Sequence, residues 1–222
     1  MPSTYNDLYL DTRRALKRNG VDSAALEARE IVCCAADKNK EEFYRDNRLY
    51  ATPEIEARVS ALLQRRLQGE PVAYLVGEWE FFGLPLIVNE HVLIPRSDTE
   101  VLAQQAIDYL KDYPGARVLD LCTGSGCIAV SLARLGKYEK VWALDLSKEA
   151  LEVADRNGQK LLKDYRGEFR LIQSDMFEGI PSGEMFDILV SNPPYIPREV
   201  IEGLEPEVRD HEPRMALDGD ED

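Results

Sequence analysis

The sequence predicts an α/β protein, a doubly wound and mainly parallel sheet preceded by a small helical bundle and a β-hairpin linker. Three observations carry this reading. Apolar residues recur at helical spacing through the first seventy positions. From Arg117 onward, short apolar runs alternate with amphipathic stretches, the order that builds parallel sheets. Between them lies a stretch rich in aromatic and branched residues around Gly83-Leu84-Pro85, which reads as two short strands and a turn. The expected boundaries are 1–70 for the bundle, 71–95 for the hairpin and 96–222 for the sheet domain.

In the bundle, Tyr5, Leu8, Tyr9, Thr12 and Leu16 keep one helical face, with Arg13, Arg14, Lys17 and Arg18 largely elsewhere. A second run aligns Ala24, Ala28, Ile31, Val32 and Ala35. A third opens at Thr52-Pro53, a capping residue followed by proline in the first turn, aligns Ile55, Val59, Leu62, Leu63 and Leu67, and ends at Gly69. Each stripe is too thin to stand alone, so the helices are expected to pack on one another. In the hairpin, Trp79, Phe81 and Phe82 form one strand and Leu86, Ile87 and Val88 the other. Ser97 with Glu100 three residues on reads as a capping box for a helix carrying Val101, Leu102, Ala106, Tyr109 and Leu110.

The sheet domain follows strand by strand. Val118–Leu121 is a buried strand and Ile128–Leu135 a helix. Val141–Leu144 is a second strand ending at Asp145, and Ser147 caps a helix with Ala150, Leu151, Ala154, Leu161 and Leu162 on one side. Phe169–Gln173 and Phe186–Val190 make the third and fourth strands. Nothing after Asn192 reads as a strand, and a sheet that stops there leaves Phe186–Val190 as an apolar edge. The expectation is a sheet truncated at its C-terminal end.

Composition narrows the partners. The 222 residues carry 41 acidic against 27 basic side chains, a net charge of −14. Glu199 to Asp222 holds ten acidic residues against Arg209 and Arg214, so −8 sits in the last 24 positions and −6 in the first 198. A protein that grips phosphates shows the opposite balance, so no direct nucleic-acid contact is expected. No apolar run approaches the roughly 20 residues of a membrane span, and the N-terminus lacks the basic-then-apolar order of a signal peptide. Cys33, Cys34, Cys122 and Cys127 form no CxxC pair, and histidines are too few for a zinc site. The expected setting is cytoplasmic and reduced, without metal or membrane.

Two segments carry chemistry. Asp120-Leu-Cys-Thr-Gly-Ser-Gly126 lies directly between a strand and a helix, where Gly124 and Gly126 let backbone approach a ligand in front of the helix N-terminus. Such glycines also fit a plain tight turn. Asp145, ending the next strand, is placed to accept hydrogen bonds from ribose hydroxyls, and Asp175 follows the third strand at the same sheet edge. Ser191-Asn192-Pro193-Pro194-Tyr195 ends the fourth strand. The prolines could simply stop it. Yet an amide oxygen, a stiff carbonyl without a competing N–H and an aromatic face together suit a planar nitrogen bearing two hydrogens.

These residues resemble an S-adenosylmethionine-dependent amino-methyltransferase of the Rossmann-like class. Within it the chain closely resembles the HemK/PrmC family of protein-(glutamine-N5) methyltransferases. The closer likeness rests on Gly69–Gly77, Glu80–Gly83, Val92–Glu100, Asp120–Ala129, Asn192–Ile196 and His211–Gly219. The Leu-Ile-Pro-Arg and Glu-Pro-x-x-Ala-Leu blocks are the specific ones, because Asn-Pro-Pro-Tyr is shared with DNA adenine and some RNA methyltransferases. The resemblance implies that Cys122, Thr123, Gly124, Ser125 and Gly126 wrap the methionine part of S-adenosyl-L-methionine and that Asp145 holds its ribose. Asp175 and Met176 would sit at the adenine, and Asn192 between cofactor and substrate. Asn192, Pro193, Pro194 and Tyr195 would hold the acceptor glutamine, with Asn192, Pro193 and Tyr195 as the catalytic set and no metal.

The implied reaction methylates the glutamine of the Gly-Gly-Gln motif of class I peptide chain release factors and leaves S-adenosyl-L-homocysteine. The bundle is the candidate release-factor-binding module of an expected monomer. Two other readings stay open: an adenine N6 or guanine N2 methyltransferase, and a truncated, non-catalytic partner-binding form. Cys122 stands where many members have glycine, and Met176 where tryptophan is frequent. Asp218-Gly-Asp-Glu-Asp222 departs from the family's continuation.

Overall fold

The computed structural model describes residues 2–219, so Asp220 to Asp222 of the acidic tail lie outside the described residues. The chain divides into two compact units, one ending at Val76 and one beginning at Gly77.

The first unit is helical: α1 (Tyr5–Arg18), α2 (Ala24–Ala35), α3 (Lys40–Asp46), α4 (Pro53–Leu67) and α5 (Val72–Val76). Thr4 and Asp7 cap α1 reciprocally, and Thr52 caps α4 with proline at its first turn. The α2 stripe of Ala24, Ala28, Ile31, Val32 and Ala35 is buried throughout. A buried ion pair joins α2 to α4, with Arg66 Nε donating to Glu27 Oε2 at 2.6 Å. Two helices beyond the three apolar stripes appear. The α3 helix is seven residues long, opens on an Asn39–Glu42 capping box and buries only Phe43, so it has no stripe to read.

The second unit opens with an antiparallel hairpin of β1 (Glu78–Phe81) and β2 (Leu84–Ile87). Its turn is Phe82-Gly83, both at positive φ, +53° and +67°, the two-residue geometry that matches strand twist. Leu84 and Pro85, expected in the turn, instead lie in β2. The stretch expected as one linker therefore splits, with Val72–Val76 helical in the first unit and the hairpin within the second. Phe81 and Leu86 bury into the core of that second unit.

Next come α6 (Ser97–Leu110), β3 (Arg117–Leu121), α7 (Cys127–Leu135), β4 (Lys140–Asp145), α8 (Lys148–Leu161), β5 (Glu168–Gln173) and β6 (Ile188–Ser191). Three short helices follow, α9 (Arg198–Ile201), α10 (Pro206–Arg209) and α11 (Arg214–Leu217). The α6 helix departs from expectation in two ways. Arg96 is its N-cap and no side-chain cap bond forms. Ser97 is already helical, and the Glu100 carboxylate accepts the Phe82 N–H at 2.7 Å instead. Its inward face is Thr99, Ala103, Ala106 and Leu110, which leaves Val101 and Tyr109 59% and 63% exposed.

The parallel strands lie in the order β5-β4-β3-β6. One face carries Val118, Val141, Ala143 and Val190 against α6 and α7. The other carries Leu119, Leu121, Trp142 and Leu144 with Ile172, Ile180 and Phe186 on them. Fully burying a valine or leucine among them is worth about 1.5–3 kcal/mol. The winding runs outward from β3 through β4 to β5, then returns to the far side of β3 at β6. The switch point is therefore the β3–β6 gap, where ligands of open α/β sheets bind at the carboxyl edge. Among the described residues β6 is an edge strand, with Leu189 47% exposed.

Candidate active site

The register of the sheet brings the two chemical segments together. Leu121 pairs with Ser191, so Cys122 and Asn192 leave the sheet side by side, and Ser191 Oγ donates to the Leu121 carbonyl at 2.9 Å. The loop after β3 turns sharply. Cys122 has φ +57°, a left-handed conformation that costs a non-glycine residue about 1–2 kcal/mol. Gly126 adopts φ +78° as the N-cap of α7 and donates its N–H to the Thr123 carbonyl at 2.9 Å.

Asp120 anchors this loop from below. It is fully buried, and its Oδ2 accepts the Thr123 hydroxyl at 2.6 Å and the Ala129 N–H at 3.2 Å. Burial outweighs those bonds and, with Asp145 nearby, lifts its carboxyl to about 7. Burial likewise raises the Cys122 thiol and pushes Cys127 up to about 12. Both thiols stay protonated, which suits packing better than redox or metal chemistry. Among the described residues no group of three metal-ligating side chains converges.

Asp145 Oδ2 accepts the Gly124 N–H at 2.8 Å, and its Oδ1 accepts the Ser147 N–H at 2.9 Å. The carboxylate thus holds the loop and the start of α8 while facing the cleft. Asp175 and Met176 follow β5. Met176 has φ +44°, and its carbonyl accepts from Ser174 Oγ at 2.9 Å. On the other side, Asn192 Nδ2 lies 3.4 Å from Thr99 Oγ1, a buried hydroxyl on the inward face of α6. Pro193 and Pro194 line the cleft with Asn192. Tyr195 does not. The residue is 76% exposed and lies outside the cleft lining.

The last described segment closes one wall. Ile196 and Asp218 form a parallel bridge, and Gly219 packs so tightly that a Cβ there would lie 2.9 Å from the Tyr195 Cα. Glu212, itself buried, is paired with Arg96 and accepts the Ile94 N–H at 3.1 Å. Thr99, Arg96 and Glu212 are thus part of the site's frame, although sequence reasoning assigned them no role.

The cleft volume is about 590 Å³, within the roughly 300–1,000 Å³ of small-molecule sites. Glu90, Asp145, Glu149, Asp175 and Asp218 line it with His91, and among the described residues no lysine or arginine lines it. Such a ring of acidic side chains disfavours a phosphate. It suits S-adenosylmethionine, a net cation bearing sulfonium, ammonium and ribose hydroxyls. Ser125 Oγ is buried beside it, next to the Cys127 thiol.

Residues 7–77 match the PrmC N-terminal domain and residues 98–202 the methyltransferase small domain. A release factor glutamine methyltransferase of Geobacter sulfurreducens is 40% identical over 213 residues, covering 95% of this chain and 72% of that protein. The chain belongs to the release factor glutamine methyltransferase family. It is an S-adenosylmethionine-dependent methyltransferase of Rossmann-like fold. Members from Agrobacterium fabrum and Burkholderia pseudomallei are 38% and 46% identical over 214 and 168 residues. Those matches cover 95% and 75% of this chain, and 73% and 59% of the two proteins. The two blocks that carry the family likeness most specifically meet in space, because Ile94 and Arg96 of the first both bind Glu212 of the second.

Proposed function

We propose that this chain transfers the methyl group of S-adenosylmethionine to the side-chain amide nitrogen of the glutamine in the Gly-Gly-Gln motif of class I release factors. The observation that carries the reading is the exit of Asn192-Pro193 from the sheet beside the Cys122–Gly126 loop, at the switch point between β3 and β6. The bound cofactor supplies an electrophilic methyl on a sulfonium. The chain's task is to make a poor nucleophile adequate and to aim it.

An amide nitrogen is weakly nucleophilic because its lone pair is delocalised into the carbonyl. Asn192 Oδ1 and the Pro193 carbonyl accept its two hydrogens, which raises electron density on nitrogen and fixes its direction. Proline has no N–H to compete for the acceptor. Transfer is a direct in-line displacement promoted by positioning and electrostatics, with no covalent enzyme intermediate. The alkylated amide is acidic and gives its proton to water, so no strong base is required. Asp145 binds the ribose, Asp175 and Met176 flank the adenine, and the loop from Cys122 to Gly126 follows the methionine part. Tyr195, exposed in the free chain, packs on the glutamine when the release factor docks. The helical unit engages the release factor, and the chain acts as a cytoplasmic monomer.

The test uses the purified chain, isotopically labelled cofactor and a class I release factor, followed by peptide mass spectrometry. Label is expected on the glutamine of Gly-Gly-Gln. Transfer to an oligonucleotide but not to the release factor would replace this reading with a nucleic-acid amino-methyltransferase, which the acidic lining of the cleft disfavours. Absence of calorimetric binding of S-adenosylmethionine would replace it with a non-catalytic partner-binding form.

A further inference from the structure

We infer that Asn157 is a positioning residue that fastens the cofactor loop to the wall of the cleft leading out of the hairpin, so that the two sides hold one spacing. The inference rests on the proposed reading for its role in methyl transfer. Asn157 lies inside α8 and is fully buried. Asparagine is a poor choice for a helix interior, where its amide competes for backbone partners. Here the amide's three hydrogen bonds all leave its own helix. Oδ1 accepts the Ile87 N–H at 2.7 Å, while Nδ2 donates to the Ile87 carbonyl at 3.0 Å and to the Ser125 carbonyl at 2.9 Å.

The geometry on each side explains the effect. Ile87 is the last residue of β2, and the carboxamide takes both hydrogen-bonding groups of its backbone as a neighbouring strand would. Three residues later the chain contributes the cleft wall with Glu90 to Leu93, Pro95 and then Thr99. Ser125 lies in the cofactor loop itself. With its carbonyl held toward α8, the trans peptide directs the Gly126 N–H the opposite way, where it closes on the Thr123 carbonyl at 2.9 Å. One turn earlier on α8, Ala154 sits directly under Gly126. The loop therefore rests on α8 at two points, and one of them is shared with the hairpin.

Two measurements test this. Hydrogen exchange on the wild-type chain, with and without S-adenosylmethionine, is expected to show added protection at the Ile87 amide as well as in the loop, although Ile87 does not line the cleft. Calorimetry on Asn157→Ala, well below its melting temperature, is expected to show cofactor binding weakened about tenfold. Protection confined to residues 122–126, or a folded N157A chain that binds cofactor within twofold of wild type, overturns the inference and leaves Asn157 a packing residue. If N157A does not fold, the wild-type exchange result decides alone. Neither readout involves an acceptor, so failure of the proposed substrate registers separately, as absence of methyl on the release factor with the wild-type chain.

Discussion

Gly124 and Gly126 stand two residues apart in one loop, yet alanine at each should fail in different ways. Both sit at positive φ, +56° and +78°, where alanine costs about 1–2 kcal/mol. At Gly126 an added Cβ would also lie 3.1 Å from Ala154 Cβ and 3.4 Å from both Ala154 Cα and Val130 Cγ2. Two packed helices must give way, an overpacking cost of about 1–3 kcal/mol. At Gly124 nothing lies within 4 Å, because the open space is the cleft itself. Gly124→Ala should therefore lose only about 1–2 kcal/mol of stability while its methyl group occupies ligand space, weakening cofactor binding about tenfold or more. Gly126→Ala should lose about 2–5 kcal/mol and keep cofactor affinity within about threefold in its folded fraction. Urea unfolding followed by circular dichroism gives the first quantity and calorimetry the second. Equal stability losses, or a larger loss for G124A, would refute the assignment of one glycine to packing and the other to the ligand.

Asp120 should imprint a pH dependence. Its carboxyl titrates near 7 when folded against 3.8 ordinarily, so between those values the native state keeps a proton that the unfolded chain has released. Stability from this group therefore falls as pH rises through that window, by about 4 kcal/mol at most. Asp120→Asn removes the titration, and urea midpoints at about pH 5 and 7.5 should differ less than in wild type; an unchanged difference would sink the argument. In the helical unit, Arg66→Ala strands the buried Glu27 carboxylate and should cost about 3–5 kcal/mol in chemical denaturation, whereas a loss below about 1 kcal/mol would mean the pair is solvated. Thr99→Val should lower the methylation rate constant about tenfold at unchanged cofactor affinity, because Asn192 loses the hydroxyl beside its amide nitrogen. Thr99→Ser should retain the rate, and equal losses in both variants would assign Thr99 to packing.

The strands were readable because β3 and β4 are short apolar runs, β4 closing on Asp145 at the sheet edge, and their parallel direction follows from alternation with helices. The loop, Asp145 and Asn192 were readable for the same reason, since strand ends in such a sheet converge. What escaped depends on partners distant in sequence. Glu100 follows Ser97 at capping spacing, yet its carboxylate goes to Phe82, 18 residues away. Asn192 meets Thr99 across 93 positions, Arg96 meets Glu212 across 116, and Asn157 reaches Ile87 across 70. Local spacing carries no trace of such pairs. The α3 and α5 helices escaped because seven and five residues are too few to show a periodic stripe. Tyr195 was expected against the substrate plane, yet it is 76% exposed and outside the cleft lining, a placement its motif gives no sign of.

The ring of carboxylates around the cleft also bears on the order of events in turnover. Glu90, Asp145, Glu149, Asp175 and Asp218 attract a ligand that arrives as a net cation. Once the sulfonium has lost its methyl group, the ligand left in the same cleft carries one positive charge fewer, and Coulomb attraction to those fixed charges falls accordingly. That contribution favours the methyl donor over its demethylated product, and calorimetry with S-adenosylmethionine and S-adenosylhomocysteine is expected to show the donor's affinity falling more steeply with salt than the product's. Added salt, which screens partly exposed charge, should narrow that gap from the donor's side.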